Sequence, residues 1–271
     1  MGCCALCKSE ADLIDSHLIP KSAYKHLRGL PKNGGGSPIR IDGGQGSASQ
    51  SDLQITQYLL CRVCEDLFSK HGEKVIGRLW GTHSGFPLVN QLLACEVRGS
   101  HEGYSLHDHS VLDRKDVDGL IYFALSIFWR AHVWNWTGKT DPYKKALGSK
   151  YEQEIREFLL GLQSLGDMLL MLNVNTNAEL NSFARLPQAY RKNGVTHHVF
   201  SLLGIEFSLF LGGSISPEQR SLMGKDKVLF ATSDIAKTNV FNGLSQFVQT
   251  KISVKGKLKD KMPIRARSSS S

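Results

Sequence analysis

The chain has 271 residues, a net charge of +8, and a composition that is 41% hydrophobic and 21% charged. Those proportions exclude a disordered polymer and leave enough apolar material for a sizeable core. The longest apolar run, 119–128, lies between Asp118 and Arg130 and is too short to cross a bilayer. The opening MGCCALCKSEADL also lacks the basic start and long apolar stretch of a secretory signal. The expectation is a soluble, cytoplasmic protein without a membrane partner.

In chain order, a cysteine turn (Cys4-Ala5-Leu6-Cys7) leads into a strand-like piece, 11–20, that ends at Pro20. Residues 21–28 suit one or two helical turns. The Gly-, Ser- and Gln-rich stretch 29–52 reads as a mobile loop. An apolar run over 54–60 enters Cys61-Arg62-Val63-Cys64, and from there Val63, Leu67, His71, Val75 and Leu79 recur at four-residue spacing, predicting a helix over 61–79 that Gly72 weakens. A helix is expected at 88–95. A stronger one spans 113–136, capped by Asp116 or Asp118 and ended by Gly138 and Pro142. Another helix is expected at 149–163, with strands at 167–174 and 228–231 and a strand pair or one long strand at 199–211. The reading is α+β, with a zinc unit at 1–80 and an α+β unit at 81–250. That second unit would carry long amphipathic helices and a small antiparallel sheet. The end, 251–271, holds seven basic residues against Asp260 and so accounts for most of the net charge. It reads as a disordered, Ser-rich basic tail able to attract nucleic-acid phosphates.

Six cysteines in an intracellular chain are a poor disulfide framework, and four of them form two C-x2-C pairs. Zinc favours four thiolate or imidazole ligands in a tetrahedron, and each pair offers two thiolates from one tight turn. Cys4, Cys7, Cys61 and Cys64 therefore read as a closed, structural zinc shell. A knuckle followed by a strand and a second pair at a helix start is a treble-clef layout. Cys3 stands one residue too far from Cys7 for a knuckle, and Cys95 has no partner pair and suits a core position.

The succession C-x2-C, then Ser16-His17-Leu18-Ile19-Pro20, then Leu59-Leu60-Cys61-x2-Cys64-Glu65 resembles the zinc-containing branch of the HNH (ββα-metal) nucleases over residues 4–73. The resemblance implies a metal-dependent endonuclease acting on DNA, with His17 as general base and Mg²⁺ or Mn²⁺ beside the zinc. Ser16 stands where the family places a metal-binding Asp or His, Glu65 where it places Asn or His, and the middle Asn falls at Thr56 or Gln57. Imidazole chemistry near neutral pH suits the base role, and a carboxylate at Glu65 suits a hard cation, with Glu73 or His71 as further ligands. Lys21, Arg28 and Arg62 are the candidate phosphate contacts. The alternative is a non-catalytic zinc-finger module, binding nucleic acid or protein on a degenerate nuclease scaffold.

Other clusters carry less. The three histidines of 101–109 do not share one regular face and read as a polar loop. His197 and His198 point to opposite faces of a strand. Trp129, Trp134 and Trp136 suit packing on an apolar helix.

Overall fold

The computed structural model describes residues 1–30, 35–108, 110, 112–136, 143, 145–213 and 215–260. Strands β1 (Gly2–Cys3) and β2 (Glu10–Ala11) pair across the turn that carries Cys4 and Cys7. The Cys4 amide donates to the Ser9 carbonyl and the Lys8 amide to the Cys4 carbonyl, each at 2.9 Å. Strand β3 (Leu13–His17) is followed by α1 (Lys21–Leu27), then by the hairpin β4 (Ile39–Asp42) and β5 (Ser47–Gln50), and then by β6 (Thr56–Cys61). β3 pairs antiparallel with β6 from Leu13↔Cys61 to His17↔Thr56, with a slip between Ile14 and Asp15. Helix α1 and the β4–β5 hairpin are thus an insertion between the two strands of one ribbon.

β6 runs directly into α2 (Arg62–Phe68), a π-helical turn at Ser69–Glu73, and α3 (Lys74–Leu79). The expected helix over 61–79 is present, and Gly72 marks where its winding widens. A Cβ on Gly72 would meet the backbone of Phe123 at 3.1 Å, so the glycine permits a close helix crossing.

The rest of the chain comprises α4 (Pro87–Leu93), β7 (Gly99–His101), β8 (Tyr104–His107), α5 (Arg114–Val133) and α6 (Gly148–Leu159), then β9 (Leu169–Asn175), β10 (Ala184–Lys192), β11 (Val195–Leu202) and β12 (Ile205–Leu211), and finally α7 (Pro217–Met223), β13 (Val228–Ser233), α8 (Asn239–Lys251), β14 (Ser253–Val254) and α9 (Lys257–Asp260). Seven strands form one sheet in the order β10-β11-β12-β9-β13-β8-β7. It is mixed rather than purely antiparallel, because β13 runs parallel to β9, and it is larger than the small sheet expected. The α+β class holds. No described helix is long and apolar enough to cross a membrane.

Several expectations are corrected. Residues 29–52 are not one loop, since they contain the β4–β5 ladder. The tail is not wholly disordered: Lys251 closes α8, β14 pairs parallel with β5, and α9 follows, while 261–271 lie outside the described residues. Residues 101–107 belong to the β7–β8 hairpin rather than to a polar loop, turning at Glu102 and Gly103 (φ 48° and 84°) as a type I′ turn requires. His109 lies outside the described residues. The 199–211 region is the pair β11–β12, turned by Leu203 and Gly204 (φ 48° and 86°). Asp113, not Asp116 or Asp118, occupies the N-cap of α5, and Asp116 instead accepts from Arg78 at 2.9 Å. Gly138 and Pro142 lie outside the described residues.

Helix α5 is the central element. Its residues from Val117 to Ala131 are buried except Asp118. One side meets the sheet, where Phe123 packs edge-on to Phe200 and Phe207, and the other meets the first eighty residues. Leu60, Phe68 and Leu79 therefore share one continuous core with Phe123, Phe128 and Phe207. Each such side chain contributes about 1.5–3 kcal/mol on burial. Trp129 is wholly buried and Trp134 nearly so, as the packing reading requires.

The crossing of α5 over α3 depends on Gly119, where an added Cβ would lie 2.6 Å from both γ-methyls of Val75. Gly119→Ala should cost about 1–3 kcal/mol through overpacking, despite the better helix propensity of alanine. Urea unfolding monitored by circular dichroism measures it.

Candidate metal centre and the adjoining histidine

The knuckle between β1 and β2 supplies Cys4 and Cys7, and the junction of β6 with α2 supplies Cys61 and Cys64. All four sulfurs lie within 4.8 Å of one another. Cys7 Sγ and Cys61 Sγ are 3.9 Å apart, close to the edge of about 3.8 Å that a tetrahedron of thiolates about 2.3 Å from one ion has. The Cys61 amide donates to Cys4 Sγ at 3.3 Å, and the Ala5 amide donates to the Leu59 carbonyl at 3.0 Å, tying the knuckle to β6. These four residues can hold a metal ion. Their protonation fits that role. Burial pushes the Cys61 and Cys64 thiols up, whereas the Ser9 backbone hydrogen bond pulls Cys7 down to about 6. Four sulfurs this close resist ionising together, and a cation among them supplies the positive charge that lets them do so. Cys3 is exposed and hydrogen-bonds the Lys8 carbonyl at 3.5 Å, outside the cluster, and Cys95 is half-buried rather than in the core.

One turn beyond Cys61, Glu65 faces back onto β3. Ser16, wholly buried, donates from Oγ to Glu65 Oε2 at 3.0 Å. Two residues separated by 49 positions are thus brought together. His17 is half-buried and turns toward the inserted segment. Its Nε2 lies 2.7 Å from Gln54 Oε1, and its ring stands edge-on to Tyr24 with centroids 6.4 Å apart. The Tyr24 hydroxyl accepts from the Ile55 amide at 2.9 Å, which fixes the segment carrying Gln54.

The expected helpers of Glu65 are engaged elsewhere. Glu73 accepts from Arg130 Nη2 at 2.7 Å, and the His71 ring lies 5.5 Å from that of Tyr122. Of the candidate phosphate contacts, Arg28 is paired with Asp52, while Lys21 begins α1 and Arg62 begins α2, both exposed. Gln57 accepts from the Asn135 amide at 3.3 Å, so it serves a connection to the end of α5.

Sequence reasoning missed Arg130. It is wholly buried on α5 and donates from Nη1 to the His17 carbonyl at 3.1 Å, while its guanidinium sits 4.6 Å over the Phe68 ring. The signal was present as one arginine inside an otherwise apolar helix. An arginine kept there requires a carboxylate and acceptors of its own. Gln54 carried no comparable signal.

No family model, no curated protein and no solved structure matches the chain. Fold and site together define a mixed α+β protein with a four-cysteine cluster able to hold a metal ion.

Removing the Glu73 carboxylate leaves the Arg130 charge buried without its partner. Glu73→Ala should cost about 3–5 kcal/mol, whereas replacing the neighbouring exposed Lys70 with alanine should change stability little. Urea unfolding of both variants checks the contrast.

Proposed function

We propose that Cys4, Cys7, Cys61 and Cys64 hold one structural zinc in a treble-clef arrangement, and that the ββα unit beside it is an HNH-like endonuclease centre hydrolysing phosphodiester bonds in DNA. The observation that carries the reading is the Ser16–Glu65 contact of 3.0 Å immediately before His17. The two positions that the resembling family uses for its catalytic ion converge here, on a strand pair followed by a helix. A closed shell of four thiolates leaves no open position on zinc, so its role is to hold the fold.

The chemistry falls to the residues around the strand end. Glu65 offers a carboxylate for Mg²⁺ or Mn²⁺, whose remaining positions suit water and a substrate phosphate. Such an ion would supply charge to polarise the phosphate and stabilise the leaving oxygen. Ser16 orients Glu65 by its hydrogen bond. His17 takes a proton from the attacking water. With Gln54 Oε1 accepting from Nε2–H, the lone pair used for that step is on Nδ1, and the Gln54 contact holds the ring in this tautomer. Lys21 and Arg62 supply exposed positive charge for phosphates on the same unit.

A second reading, a zinc-stabilised module that binds nucleic acid without cutting it, is favoured by one observation. Among the described residues, the cysteine cluster is the only group of three or more His, Cys, Asp and Glu side chains gathered closely enough for an ion.

Nicking of supercoiled plasmid in Mg²⁺ or Mn²⁺ separates the two readings. The nuclease reading expects divalent-dependent nicking that falls by about 10²–10⁴-fold in His17→Ala, with comparable loss in Glu65→Gln. Unchanged nicking in His17→Ala removes the histidine from the chemistry. Absence of cutting with every divalent ion, together with salt-sensitive DNA retention, establishes the binding module instead.

A further inference from the structure

The inserted hairpin ends a three-stranded sheet of order β14-β5-β4, in which β4 is an edge. Among the described residues its backbone pairs only with β5, through Ile39↔Gln50, Arg40↔Ser49, Ile41↔Ala48 and Asp42↔Ser47. The Ser51 amide donates to the Pro38 carbonyl at 3.0 Å, which sets the phase of the ladder. Residues 38, 40 and 42 turn their backbone groups toward β5, so Ile39 and Ile41 present theirs outward.

This edge carries little of the usual protection. Natural edges are blunted by lysine, proline or a bulge, but the ladder here is regular and its outward residues are isoleucines, 55% and 45% exposed. The apolar surface continues onto α8. Val240, Leu244 and Phe247 recur on one helical stripe, at 55%, 45% and 39% exposure, and α8 buries no residue. Phe247 approaches Gly43 on the same strand face as Ile39 and Ile41: a Cβ there would meet its ring at 3.7 Å.

We propose that β4 is the interface strand of a twofold-symmetric dimer, in which a second copy of this chain adds its own β4 antiparallel, centred on Ile41. Charge selects this occupant and this register. With Ile41 on the axis, its outward N–H and C=O exchange both hydrogen bonds with the partner's Ile41. The flanking pairs are then non-hydrogen-bonded pairs, whose Cα atoms stand about 4.5 Å apart and whose side chains are closest. In them Arg40 faces the partner's Asp42, and symmetry repeats the match on the other side. Centring on Arg40 or on Asp42 also bonds through outward backbone groups but sets like charges directly opposite each other at the axis, so charge excludes both. The two α8 stripes flank the joined sheet on the face of Ile39 and Ile41. The dimer does not depend on any nuclease activity.

Sedimentation velocity of the full chain at micromolar concentrations tests it. The wild type should sediment as a dimer. Arg40→Asp and Asp42→Arg should each weaken association at least about tenfold by opposing like charges, and the combined variant, which restores opposite charges in every pair, should dimerise again. Ile41→Lys places two ammonium groups at the axis and should be monomeric with an unchanged far-ultraviolet spectrum. A monomeric wild type overturns the proposal, as does a dimer that persists in Ile41→Lys or in both single charge variants, or a folded combined variant that stays monomeric.

Discussion

Four sulfur atoms from two tight turns set the geometry on which the rest of the N-terminal half depends. The turns lie more than fifty residues apart in sequence, yet their thiols gather within 4.8 Å. Between them the chain makes β3, an insertion containing α1 and the β4–β5 hairpin, and β6. That insertion is long and rich in glycine and serine, so closing it has an entropic cost that its own sparse core does little to offset. An ion held by the four thiolates would offset that cost, because binding free energy at a site absent from the unfolded chain is folding free energy. The same closure fixes the start of α2 and therefore the side from which Glu65 approaches Ser16.

A second tie couples this unit to the large sheet. Arg130 reaches from the central helix to the His17 carbonyl and to Glu73 and stacks over Phe68. The helix that places Arg130 also packs Phe123 on the sheet, so the backbone at His17 is held by the same element that organises the core. A buried charge of this kind adds little net stability when intact and costs much when half of it is removed. Its contribution is to fix one arrangement of β3 against α5. Asp116 with Arg78, and Gly119 beneath Val75, fix the other end of the same crossing.

How much of this was legible in the sequence varies with the kind of signal. The cysteine pairs and the four-residue periodicity from Val63 to Leu79 are local and strong, and both the cluster and the long helix are present. The apolar run Val199–Leu211 reads as a strand pair or one long strand, and the structure has the pair β11 and β12. The β4–β5 ladder was hidden because its Gly- and Ser-rich surroundings carry turn chemistry and its isoleucines are few. β10 was hidden by Pro187 and its charged end. It is an edge strand whose register slips between Arg185 and Gln188, a place where proline is tolerated. β14 owes its pairing to β5, two hundred residues earlier, and nothing local in a lysine-rich segment announces that. At the site, His17, Ser16 and Glu65 are singled out by the family resemblance of their motif, whereas Gln54 and Arg130, which contact the His17 ring and carbonyl, come from outside that motif.

The most direct test of the account is zinc X-ray absorption spectroscopy on the purified full-length chain, with metal content measured on the same sample. The account predicts one zinc per chain with four sulfur neighbours at about 2.3 Å and no nitrogen or oxygen ligand. A folded protein that contains no metal, or whose zinc carries a mixed nitrogen and oxygen shell, would contradict it.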